Sequence, residues 1–188
     1  MTTVTTIPPG NVSLRITKTV SGGGVPVLRY VIAIVNTGNV SAQSSFFTDS
    51  IPANAAYVTN SIRRNGTMFS DAYPDGDGGY DQSNNRVVVN LGTISPGGQI
   101  SVIFEVRVDS GFSGTISNQG IVSGGNFPGI LTDDPGTAIF GDPTLYQTPA
   151  PSIPVPTLTE WGMIIFMLLA GLGSFLYLHR IRREGLER

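Results

Sequence analysis

The sequence predicts an all-β chain, an immunoglobulin-like β-sandwich, followed by a single C-terminal transmembrane α-helix. Three observations predict it. Short apolar runs, alternating or continuous, recur with turn signals about every ten residues, the pattern of a sandwich of seven to nine strands. Glycine (24) and proline (13) are abundant, with Thr, Ser, Val and Asn crowding the remainder, a composition of strands and turns. Finally, Trp161 to Leu178 contains no charged side chain; as a helix it would span roughly 27 Å, close to a bilayer's hydrocarbon thickness.

Each element has its own signal. Residues 1–10, ending Ile7-Pro8-Pro9-Gly10, read as an extended lead with strand propensity in its Thr2–Ile7 stretch. Val12, Leu14 and Ile16 alternate with Ser13, Arg15 and Thr17 in a half-buried first strand, which Gly22–Gly24 ends. Val27 to Val35 is apolar on both parities from Tyr30, as in a central strand, and Asn36–Asn39 turns the chain. Phe46–Ile51 is a strand stopped by Pro52; Tyr57–Arg63 follows, then a turn at Asn65-Gly66. After an acidic loop come Arg86–Leu91 and the turn Ser95–Gly98. In the strand beyond it Val102, Phe104, Val106 and Val108 face one way, and Glu105, Arg107 and Asp109 the other. Thr115–Ser123 and Thr137–Tyr146 complete the sandwich, which therefore occupies residues 11–146. A Pro-rich spacer, stiff and extended, covers 147–158, and 159–188 hold the rest of the tail.

Charge and composition exclude several functions. Net charge is −2, and residues 1–159 hold seven Arg or Lys against ten acids, so no basic patch marks a nucleic-acid partner. Without cysteine there is no disulfide scaffold, thiol chemistry or thiolate metal site. A lone His179 beside the apolar helix removes histidine metal clusters and Ser-His-Asp triads. The expectation is a protein that is not an enzyme. Met1–Thr6 has neither a basic start nor a long apolar run, so an exported chain would need a leader already removed, or another route.

The tail reads Val155-Pro156-Thr157-Leu158, two residues, Trp161-Gly162, the apolar run, then Arg180, Arg182 and Arg183. Arginines at that end keep it on the cytoplasmic side. This order resembles the IPTL-CTERM sorting tail of Gram-negative bacteria, with Val155 in place of the family's Ile. The resemblance implies a membrane location, recognition by an exosortase-type processing enzyme, and a chain otherwise outside the cytoplasm, in the cell envelope or at the cell surface. A second resemblance rests on "LRITKTV", "VNTGNVSAQSSFFTDSIPANAAYV", "LGTISPGGQISVIFEVRV" and "TISNQGIVSG…DDPGTAIFGDPT". These segments are similar to the bacterial surface repeat known as domain of unknown function eleven, which implies a β-sandwich module of large exported proteins.

Two side-chain groupings stand out. Asp71, Asp75, Asp77 and Asp81, interleaved with glycine, have the ligand type of a calcium loop, though the spacing equally suits a solvated turn. Calcium is the one cofactor the residues suggest, and none is required. Lys18, the sole lysine, continues the inward parity of Val12, Leu14 and Ile16; Asn118 shares parity with Ile116 and Val122, and Asp49 with Phe47 and Ile51. Lys, Asn and a carboxylate on such strands are the parts of an intramolecular isopeptide bond. The plainer expectation is that Lys18 snorkels to water from the first strand's edge. Asn11, Asn39 and Asn65 begin glycosylation sequons but suit turns as well, and Ala170 and Ser174 form a small-xxx-small pair on the helix.

Two roles compete. One is a non-catalytic surface protein, anchored or sorted by its tail. The other is a filament subunit with the apolar helices packed in its core and Thr2–Ile7 donated as a strand to a neighbouring copy.

Overall fold

Alternation in the first apolar segment becomes the first strand. β1 (Leu14–Ser21) buries Leu14, Ile16 and Lys18 and turns Arg15 outward. β2 (Val27–Asn36) pairs antiparallel with it, from Leu14 opposite Asn36 to Ser21 opposite Arg29. Leu28, Tyr30, Ile32 and Ile34 are buried, while Arg29 and Ala33 are exposed and Val31 and Val35 half-buried. β2 is thus central by its neighbours, yet its outer face meets solvent. This computed structural model describes residues 10–22, 26–74, 77–149 and 158–184.

β3 (Ala42–Ser50) opens a second sheet, with a register break between Ala42 and Phe46 where Ser44 takes a φ of 49°. The expected strand Tyr57–Arg63 is instead two short pieces, β4 (Ala55–Tyr57) and β5 (Arg63–Arg64). Both pair with β9 (Gln99–Val108), but residues 58–62 stand opposite only 104–105 and must loop out. Asn65 (φ 51°) and Gly66 (φ 81°) then turn the chain into β6 (Thr67–Met68), the left-handed pair a two-residue hairpin requires. β7 (Gly78–Asp81) and β8 (Arg86–Ile94) extend the second sheet.

The expected strand Thr115–Ser123 breaks at Gln119. β10 (Thr115–Asn118) pairs with β13 (Thr144–Gln147) in a separate ribbon, whereas β11 (Gly120–Gly124) joins β3. β12 (Phe127–Leu131) has no forecast, because Pro128 and Gly129 disguise it; it is an edge strand, where proline is tolerated. Most of the expected strand Thr137–Tyr146 is loop. Asp142 accepts hydrogen bonds from the Asp134 amide and the Thr137 hydroxyl, and Asp133 accepts one from the Gly141 amide, so carboxylates rather than a partner strand satisfy that backbone.

The result is a two-sheet sandwich of immunoglobulin-like type. One sheet runs β1-β2-β9 with β4 and β5–β6 along the far side of β9; the other runs β12-β11-β3-β8-β7. Between them pack Leu28, Tyr30, Ile32, Phe47, Val87, Val89, Phe104 and Val106. The second compact unit, beginning at Pro151, holds α1 (Leu158–Glu184), apolar on every face between Trp161 and Leu178.

Candidate functional site

Lys18 occupies the last inward position of β1 that the sandwich fully covers, and nothing of it reaches solvent. The snorkelling expectation is therefore wrong, and the reason lies at the strand's edge. Residues 132–133 run alongside β1: the Lys18 amide donates to the Asp133 carbonyl and the Asp133 amide to the Ile16 carbonyl. The Thr144 hydroxyl donates to the Lys18 carbonyl at 3.0 Å. That edge is closed, so the side chain has no way out.

Inside, Lys18 Nζ donates to Asp49 Oδ2 at 2.5 Å, with both side chains wholly buried. The rings of Tyr30 and Phe104, stacked at 5.2 Å, lie 4.7 and 5.8 Å from the same nitrogen. Asn118, 3% exposed, comes from β10, directly across the ribbon from Thr144. Its amide is near enough to Asp49 and Tyr30 to favour their charged forms. Even so, among the described residues Asn118 Nδ2, Asp49 Oδ1 and Tyr30 Oη have no partner at hydrogen-bond geometry. Burial pulls the Lys18 ammonium below its usual range, against the pull of Asp49. Burial likewise pushes the Asp49 carboxyl up to about 6, against Lys18. Both shifts favour a neutral pair, a protonated acid beside a free amine.

Gly120 makes room for this group. It stands opposite Asp49 in the β11–β3 register, and a Cβ there would come within 2.7 Å of the Phe47 ring and 2.8 Å of Asp49 Oδ2. The bend at Gln119 that separates Asn118 from Gly120 is held by Thr132, whose hydroxyl accepts from the Gly120 amide and whose carbonyl accepts from the Gln119 side chain. Sequence parity picked out Lys18, Asp49 and Asn118 but missed the aromatic walls. Tyr30 and Phe104 read only as core residues.

The acidic loop is a different matter. Asp71 accepts hydrogen bonds from the Tyr57 hydroxyl (2.5 Å) and the Asn60 amide (2.6 Å). Asp81 accepts from Asn84 and from Arg86 Nε, and the Asn84 amide first, then the guanidinium, holds it below the usual carboxylate range. Asp75 lies outside the described residues. Among the described residues no three candidate ligands, Asp77 included, group into a metal site. Asp71 and Asp81 are thus each engaged by protein donors, Tyr57 and Asn60 for the one and Asn84 and Arg86 for the other. Of the sequon asparagines, Asn39 and Asn65 use their side chains to accept the Asn11 and Ser101 amides, as turn residues do.

In the tail, Trp161–Arg183 is a 23-residue helical segment of mean hydropathy 1.9, uncovered along its whole length. Arg182 and Arg183 fall in its last turn, and the Ser174 hydroxyl donates back to the Ala170 carbonyl. Val155, Pro156 and Thr157 lie outside the described residues, while Leu158 begins the helix and Trp161 and Gly162 follow within its first turns.

Comparison with known proteins agrees with this division. Residues 153–183 match the model of the IPTL-CTERM motif. The match covers the tail and not the sandwich. Among curated proteins none matches the sequence. Solved structures with similar folds include BslA, a bacterial hydrophobin (11% identity, TM-score 0.47, 77% of this chain and 100% of that one). The major pilin subunit BcpA of Bacillus cereus, in its D312A form, is another (11% identity, TM-score 0.49, 72% of this chain); the present chain spans 40% of that pilin. A third is the collagen-binding domain of a Staphylococcus aureus adhesin (15% identity, TM-score 0.42, 72% of this chain and 96% of that one).

Proposed function

We propose that this chain is a non-catalytic exported protein of the cell envelope or surface, whose sandwich is displayed outside the cytoplasm and whose tail is the sorting signal. One observation carries the reading: an uncovered apolar helix, long enough to cross a bilayer, coincides with the IPTL-CTERM match. The tail's processing partner is an exosortase-type membrane enzyme that reads Pro156, Thr157, Leu158, Trp161 and Gly162. The sandwich is a module of the surface-repeat kind that its sequence segments resemble. Its buried polar cluster is closed to substrate, which supports a structural role over catalysis on external molecules.

The test is fractionation of cells expressing the full chain and a version ending at 149. The full chain is expected with the membranes or on the surface, and the shortened one in the soluble extracytoplasmic fraction. A full chain that behaves as a soluble monomer without detergent would overturn the reading.

A second reading, a homopolymeric surface filament, draws on one patch of the sandwich. Phe140 is 94% exposed and lines a shallow apolar hollow with Leu14, Ile130 and Leu131, the kind of surface that contacts another protein. Electron microscopy of native material distinguishes the two: regular fibres favour assembly, dispersed particles the monomeric surface protein.

A further inference from the structure

We propose that Lys18 and Asn118 become joined by an intramolecular isopeptide bond, formed within the folded sandwich with Asp49 moving the protons. The inference stands on the sandwich core and is independent of how the tail is read.

Left as an ion pair, the cluster is a poor structural device. Both charged side chains are wholly buried, and two bonding groups beside them go unused: among the described residues Asp49 Oδ1 and Asn118 Nδ2 have no partner. Each such orphan is destabilising, and a buried ion pair repays its desolvation only when every remaining group is satisfied. Bond formation removes these defects together. The amine loses its charge, Nδ2 departs as ammonia, and a protonated Asp49 gains an amide carbonyl to donate to.

The ingredients match the chemistry. An amine attacks only as the free base, and the complete burial of Lys18 behind the closed β1 edge favours that form. In the neutral pair Asp49 carries the proton. Lys18 Nζ forms a bond to Asn118 Cγ, and the carbonyl electron pair moves to Oδ1 as Asp49 donates to it. Asp49 then takes a proton from Nζ and passes it to Nδ2. The Cγ–Nδ2 bond breaks, Oδ1 returns its proton to Asp49 as the carbonyl re-forms, and ammonia leaves. Amine plus primary amide gives secondary amide plus ammonia, so neither oxidant nor co-reactant enters, and Asp49 ends protonated as it began.

Fold and reaction support one another. Thr144 fixes both reacting strands, donating its hydroxyl to the Lys18 carbonyl while pairing with Asn118 across the β10–β13 ribbon. Gly120 leaves space for Asp49 between them. The three groups come from β1, β3 and β10, so they meet only once both sheets have closed, and the bond would then lock the first strand to a late one.

Mass spectrometry of the full chain purified in detergent decides the matter. The expected mass is one ammonia, about 17 Da, below that of the chain's residues, with a branched peptide joining the segments around Lys18 and Asn118. Trypsin should not cut after Lys18, and its amine should resist acylation in denaturant. Asn118→Ala should restore the full mass and an acylable amine, and lower the melting midpoint by on the order of 10–20 °C. Asp49→Ala should likewise leave Lys18 free. Wild-type protein of full mass, with Lys18 acylable once denatured, would overturn the proposal without reference to any variant. So would a loss of water with Lys18 linked to Asp49, which would make the carboxyl the electrophile.

Discussion

Gly120 and Asn36 show how single residues hold the sandwich's polar interior together. At Gly120 the constraint is contact: any Cβ meets the Phe47 ring and Asp49 Oδ2 below 3 Å. Gly120→Ala should therefore destabilise the fold by about 1–3 kcal/mol, through overpacking of a site that cannot expand; urea denaturation measures it. Asn36 reads in the sequence as the first residue of a turn, yet it is fully buried. Its side-chain amide donates to the carbonyls of Val40 and Ile94 at 2.8 Å, and its oxygen accepts the Gly38 amide. Its backbone also pairs with Gly97 and Gly98. One side chain thus ties the β2–β3 connection to the β8–β9 turn. Asn36→Ala leaves buried carbonyls unpaired and should cost about 1–3 kcal/mol, against which Asn39→Ala, at the exposed tip, is the control of smaller effect.

Among the elements, the helix owes its behaviour to composition alone. Trp161–Arg183 is long and apolar enough to cross a bilayer, with no polar stripe from Trp161 to Leu178. Arg182 and Arg183 sit in its last turn, where cations suit the helix dipole. Changing Arg180, Arg182 and Arg183 together to Glu should misorient or missort the tail. A C-terminal reporter active only in the cytoplasm reads this directly, and an unchanged signal in the reversed protein would count against the orientation. Strand β10 illustrates the opposite dependence. Its four residues have no sheet of their own to join, and they are held by β13 and by Thr148, whose amide and hydroxyl both donate to the Gly114 carbonyl.

For the whole molecule, the chain divides into two compact units, residues 1–150 and 151–188. The buried core lies entirely within the first unit, and none of its members comes from the helix. A protein of residues 10–149 should be soluble and unfold in one cooperative transition, since its burial does not involve the tail; calorimetry together with sedimentation tests both points. Chelator should leave its melting midpoint unchanged, because Asp71 and Asp81 are engaged by Tyr57, Asn60, Asn84 and Arg86 rather than offered to a cation. A midpoint that falls with chelator and recovers with calcium would show a site that these contacts conceal.

The sequence by itself determined what depends on local order. Alternation in Leu14–Lys18 and Val102–Val108 set which side chains point inward, because successive strand residues face opposite sides. Asn65-Gly66 set a hairpin, because both positions need left-handed backbone. An uncharged run ending in arginines set an apolar helix long enough to cross a bilayer. The same local evidence misplaced strand ends wherever a partner, not the segment itself, decides them: Tyr57–Arg63 bulges because β9 has too few residues opposite, and Thr115–Ser123 splits because its halves find different neighbours. Only the tertiary structure decided that Lys18 stays inside. Parity aimed it inward, but residues 132–133 and Thr144 close the edge through which it would otherwise reach water. It also decided that Asp49 meets Lys18 and that Asn118 lies against Asp49, since strands far apart in the chain become neighbours through sheet topology, which no short stretch of sequence encodes.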